Sequence, residues 1–159
     1  MSTRIRLFAL VLAVTGALLS VPSAVATGGH NASRAGHQRF VVLSTNAAKN
    51  GGPMVGFGAI HAKGTDKQIN GHTDRFVFPQ GSVLVRHKRV GGASTFDKHN
   101  CFGTFAEHGS WTAVSGTGAY ASVSGGGTYR VAAKFIGCSR HQPPNPFELQ
   151  INAVGNLTF

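Results

Sequence analysis

The chain has 159 residues, with 22 glycines, two cysteines, and 15 Lys and Arg against 5 Asp and Glu, a formal charge of +10. That length provides for one core and not two, and two cysteines are too few for a disulfide-dense scaffold. The basic balance favours anionic partners such as cell-wall polymers, acidic polysaccharides or lipid head groups, whereas specific nucleic-acid reading is not expected, because no recognised motif accompanies the charge.

Residues 1–26 read as a secretory signal peptide: Arg4 and Arg6, an apolar run from Leu7 to Leu19, then Ala24 and Ala26 in a small-x-small pattern. A membrane span needs roughly 18 to 20 apolar residues, and Thr15, Gly16, Ser20 and Pro22 interrupt this run. Cleavage after Ala26 is expected to deliver a secreted chain. It loses Arg4 and Arg6 from the 15 basic residues, leaving 13 against 5 acids, a formal charge of +8. Residues 27–38, "TGGHNASRAGHQ", read as a flexible lead-in, and 39–159 as the folded domain.

From Arg39 onward the signals are those of strands. "RFVVLST" is followed by a turn over "NAAKNGGP". "MVGFGAIHAKG" reads as one strand whose glycines mark curvature. "TDRFVF" places Asp74, Phe76 and Phe78 on one face. "GSVLVRHKRV" alternates Val83, Val85 and His87 against Leu84, Arg86 and Lys88. A turn is expected at "GGAS", then strands "FGTFAEH" and "SWTAVS", a short strand from Ala119 to Val123, and "GTYRVAAKFIG". After the loop "CSRHQPPNP", "FELQINAVGNLTF" lines Leu149, Ile151, Ala153, Leu157 and Phe159 on one side. One dry and one wet face is the pattern of an antiparallel sheet. About eight such strands with no helix to cover them predict an all-β, calycin-like closed antiparallel β-barrel, since only closure removes the edges.

Gly116, Gly118 and Ala121 fit the spacing of a dinucleotide-binding loop, but that loop needs a helix opening at the third small residue and an acid about 20 positions on. "AYASVSGGGTYR" supplies neither, so the glycines are expected to serve turns and bends. No cofactor is expected. The eight histidines have no H-x-H or H-x-x-x-H pair, so no metal is expected either, and no G-x-S-x-G elbow is present.

"SGTGAYASVSGGGTYRV", with "TDRFVFPQGSVLVRH" and "FDKHNC" upstream, resembles the allene oxide cyclase-like and dirigent-like barrel family, in particular its small secreted bacterial members. The resemblance covers Phe40 to Phe159. It implies an eight-stranded antiparallel barrel, often a homotrimer, with an apolar cavity open at one end. Plant relatives of the fold cyclise an unstable fatty-acid epoxide or orient phenoxy radicals and quinone methides. None of the family's catalytic residues can be matched to positions here.

The expected function is binding of a small apolar ligand in the barrel, with dirigent-like or cyclase-like steering; the alternative is a non-enzymatic basic protein that adheres to anionic polymer. Asp74, in phase with Phe76 and Phe78, is a candidate cavity acid or a turn cap. Glu107, in phase with Phe105 and next to His108, is a candidate acid at the mouth or a solvated strand end. Phe76, Phe78, Tyr120 and Tyr129 are candidate ligand contacts, with packing as the alternative role of the tyrosines. Arg86, Lys88 and Arg89 form a candidate patch for anionic polymer. Cys101 and Cys138 are expected to pair in an oxidising compartment, a catalytic thiol being the alternative.

Overall fold

The computed structural model describes residues 34–139 and 141–159; the expected signal peptide lies outside them. Eight strands run in sequence order around a closed barrel: β1 (Ala35–Ser44), β2 (Gly51–Gly58), β3 (Ala62–Asn70), β4 (Thr73–Phe78), β5 (Gly81–Asp97), β6 (Phe102–Gly116), β7 (Ser124–Ile136) and β8 (Phe147–Thr158). Every neighbouring pair is antiparallel, and β8 returns to pair with β1 from Ala35↔Thr158 to Ser44↔Leu149. Among the described residues no helix is long and apolar enough to cross a membrane.

Five assignments differ from the sequence expectation, one being that "FGTFAEH" and "SWTAVS" are a single strand, β6. Residues Ala35 to Gln38, expected in the lead-in, belong to β1, because β8 supplies a ladder that overrides their weak strand propensity. "MVGFGAIHAKG" is not one strand: the chain reverses after Gly58, and Ala62 opens β3. "GGAS" is not a turn but lies within the 17-residue β5, where the register shifts between Arg89 and Gly91. The reversal comes later, at an Asx turn in which Asp97 accepts hydrogen bonds from the His99 backbone N–H (2.8 Å) and the Asn100 amide (2.7 Å). Finally, Ala119 to Val123 is not a strand. Gly118–Tyr120 forms a single 3-10 turn, which Gly118 enters at φ +61°, where an added Cβ would meet the Gln80 carbonyl oxygen at 2.3 Å. With no α-helix at this point, the nucleotide reading of the motif has no structural basis.

Because the strands form a meander, alternate connections gather at the same end. The β2–β3, β4–β5 and β6–β7 connections close one end with Ile60, Phe78, Tyr120, Val123 and Leu157, all buried. Phe40 lies 5.0 Å from Phe76 and 5.8 Å from Trp111, ring centre to ring centre. Tyr120 packs edge-on against Phe78 at 5.9 Å and Phe159 at 5.3 Å. Each such ring contributes roughly 1.5–3 kcal/mol by burial. Gln38 is fully buried among them without penalty, since its amide accepts from the Ile60 N–H at 2.7 Å and donates to the Ile60 carbonyl at 3.2 Å.

Trp111 sets the depth of this packed layer. Its inward neighbours in register are Gly127 on β7 and, beyond it, Gly155 on β8. With no side chains there, the indole reaches across β7 and donates to the Val154 carbonyl at 3.2 Å. Above it the interior is not filled. The other end of the barrel carries the β1–β2, β3–β4, β5–β6 and β7–β8 connections. There Cys101 and Cys138 form the expected disulfide, Cα atoms 5.0 Å apart, just beyond the Phe102↔Ile136 pair. Closing 37 residues of chain stabilises the fold by about 4 kcal/mol on the loop-entropy estimate.

Candidate functional site

The period of two along a strand sends every second side chain inward. On β3 to β7 that phase selects Asp66, Asp74, His87, Arg89, Glu107 and Tyr129, one or two from each strand. All of these but Arg89, which is half-exposed and reaches Glu107, stand along the wall of a cavity of about 400 Å³ that opens beside Ala47, Lys49 and Gly71. Phe76, Val85, Trp111 and Ala153 form its floor, and Phe105, Val131, Leu149 and Ile151 the remaining apolar wall. A larger hollow of about 670 Å³ lies on the outer surface over β6 to β8. Its lining is mostly outward side chains such as Val90, His108 and Arg130, although Glu107 and Tyr129 also border it.

The polar wall has a definite internal order. Asp74 reaches the His87 Nε2 at 3.3 Å. The Tyr129 hydroxyl donates to Glu107 Oε1 at 2.5 Å, and Arg89 Nε lies 3.6 Å from Glu107 Oε2. The His87 and Tyr129 rings meet edge-on at 5.6 Å, joining the two pairs. Asp66 is different. It is 4% exposed and its Oδ1 has no hydrogen-bond partner among the described residues.

Burial drives the electrostatics of the site. It pushes the Asp66 carboxyl up from 3.8 to about 7, with the neighbouring Asp74 charge adding to the rise. Asp74 is raised by burial as well, against the opposing pull of His87. The Tyr129 phenol is raised by burial first, then by its hydrogen bond to Glu107 and that residue's charge. Tyr129 is therefore a neutral phenol, while Asp66 is poised to gain or lose a proton near neutrality.

Asp74 and Glu107 both face inward, as their phase predicts. Asp74 makes a side-chain contact with His87 and does not cap its turn. The histidine of the site is His87; His108, adjacent to Glu107 in sequence, points to the outer surface. Phe76 and Tyr129 line the cavity. Phe78 and Tyr120 do not, since they sit in the packed end beneath it. Arg86 and Lys88 point outward and are exposed, whereas Arg89 turns to Glu107, so the basic run is divided between the two faces.

Asp66 escapes sequence reasoning because its strand does. With "HAKG" assigned to the preceding element, "AKGTDKQIN" has no assigned face, although Lys63, Thr65 and Lys67 alternate with Gly64 and Asp66. His87 carried a usable signal in its phase with Val83 and Val85. Among the described residues no three His, Cys, Asp or Glu side chains converge as a metal site would require. No protein family, curated protein or solved structure matches the chain on comparison.

The raised carboxyl makes stability depend on pH with a definite sign. A folded-state value of about 7 against 3.8 means that between these limits the folded chain holds a proton the unfolded chain has released. Stability therefore falls as pH rises from about 4 to about 7, by up to ~4 kcal/mol from this group. Asp66→Asn removes the titration. Denaturant unfolding of the two proteins at pH 5 and pH 8 should find the variant gaining on the wild type at the higher pH; a constant difference would contradict the dry placement of Asp66.

Proposed function

We propose that the protein is a secreted ligand-binding barrel. It admits a small, largely apolar molecule through its open end and holds the polar part of that molecule against the acid–base wall. A reactive intermediate bound there would be steered by cavity shape, in the manner of the allene oxide cyclase-like and dirigent-like barrels that the sequence resembles. The observation that carries this reading is the cavity: about 400 Å³, within the roughly 300–1,000 Å³ of small-molecule sites, with an apolar floor and one polar wall. Apolar surface would supply affinity, and the wall would supply orientation and proton transfer. The disulfide suits an oxidising compartment outside the cytoplasm, in keeping with the expected leader.

The experiment is binding of a neutral probe, 2-naphthylmethanol, followed by calorimetry on wild type and on Leu149→Trp, which adds bulk to the partly exposed upper wall. The substitution should weaken binding by about tenfold or more while leaving the far-ultraviolet spectrum of the barrel unchanged. Equal affinity in both proteins would remove the cavity from the account.

A second reading, adhesion to anionic polymer, draws on the separation of charge across the barrel wall. Of five acidic residues in the chain, Asp66, Asp74 and Glu107 face inward, while Lys63, Lys67, Arg75, Arg86 and Lys88 are exposed on the outside of β3 to β5. Five cations on three adjacent strands make a patch that attracts polyanions and is screened by salt. Arg86→Gln with Lys88→Gln should elute from a dextran sulfate column at distinctly lower salt than wild type. Unchanged elution would rule out this face as the contact.

A further inference from the structure

We propose that the cavity is built for a primary amine, its ammonium head seated against Asp66 and Asp74 and its apolar body lying on Phe76, Trp111 and Ile151. The inference rests on the cavity-binding reading above and names the class of ligand. Its basis is the charge on the inner wall. Glu107 is matched by Arg89 and by the Tyr129 hydroxyl, and Asp74 by His87. Asp66 is matched by nothing among the described residues, although it is more than nine-tenths buried and lines the cavity with an unpartnered oxygen.

A desolvated carboxylate of this kind is held either by a proton or by a cation that brings its own hydrogen-bond donors. A hydroxyl would satisfy the oxygen but not the charge, whereas an ammonium satisfies both. A divalent metal needs more oxygen or nitrogen ligands than converge here among the described residues. Phe76, directly opposite Asp66 in register, and Trp111 add aromatic faces that favour a cation over a neutral head. Lys49, at the rim, is exposed and forms no ion pair with either carboxylate.

The test compares three ligands of one shape, 2-naphthylmethylamine, 2-naphthylmethanol and 2-naphthoate, by calorimetry at pH 8. The amine should bind about tenfold to hundredfold more tightly than the alcohol, and the carboxylate most weakly. In Asp66→Asn the amine should lose its advantage and bind no more tightly than the alcohol does to the same variant. Should that variant not fold, the wild type serves at lower pH. Towards pH 5 Asp66 takes up its proton; the other ionisable groups of the cavity wall are Lys49, Asp74, His87, Glu107 and Tyr129, with Arg89 held against Glu107. The advantage of the amine should then be lost and the alcohol left unchanged. Alcohol binding without preference for the amine would overturn the inference and leave the cavity reading standing. Failure of all three to bind would overturn both, and an amine preference that survives Asp66→Asn and the lower pH would overturn the assignment to Asp66.

Discussion

The ten paired positions between β1 and β8 turn a twisted sheet into a tube, and with that one ladder one face of every strand becomes an interior. An open sheet could leave Asp66, Asp74 and Glu107 on a wet face, where three carboxylates are unremarkable. In a closed barrel the same alternation desolvates them. Closure therefore creates both the apolar core and the electrostatic tension of the site, and neither can be altered without the other.

How the tube is filled decides where that tension lies. At one end large rings meet: Phe40, Phe76, Phe78, Trp111 and Tyr120 occupy the bore, and Gln38 ties down the β2–β3 reversal. Gly127 and Gly155 leave the indole of Trp111 room to lie across two strands, so a single side chain forms much of the floor. Above that floor the polar inward groups all come from β3 to β7, while the inward positions of β8 stay apolar through Leu149 and Ile151. A bore with one apolar wall and one ionisable wall can hold the two ends of an amphipathic molecule in a fixed orientation. The basic outer surface is the complement, since the acids that would offset it are largely inside.

Closure, strand number and the disulfide were legible in the sequence because period-two alternation is strong in β4, β5, β7 and β8, and only one cysteine pairing was available. The inward phase of Asp74 and Glu107 followed from the same alternation. Reversals were harder. Gly91 and Gly92 look like a turn, yet they lie at a bulge inside β5, because cross-strand pairing with β6 outweighs local preference. Gly58 looks like a strand residue, yet the chain turns just after it. That misplacement hid β3 and with it Asp66. Pairings among wall residues were beyond reach for a different reason: Glu107 with Arg89 and Asp74 with His87 depend on register, which the one-dimensional pattern does not encode.

Direct titration of the Asp66 carboxyl carbon by nuclear magnetic resonance bears on all of this at once. A dry, uncompensated acid on the inner wall predicts a midpoint of about 7. A midpoint close to the ordinary aspartate range, about 4, would mean that water or an unrecognised cation already serves this oxygen, and the proposed ligand chemistry would lose its foundation.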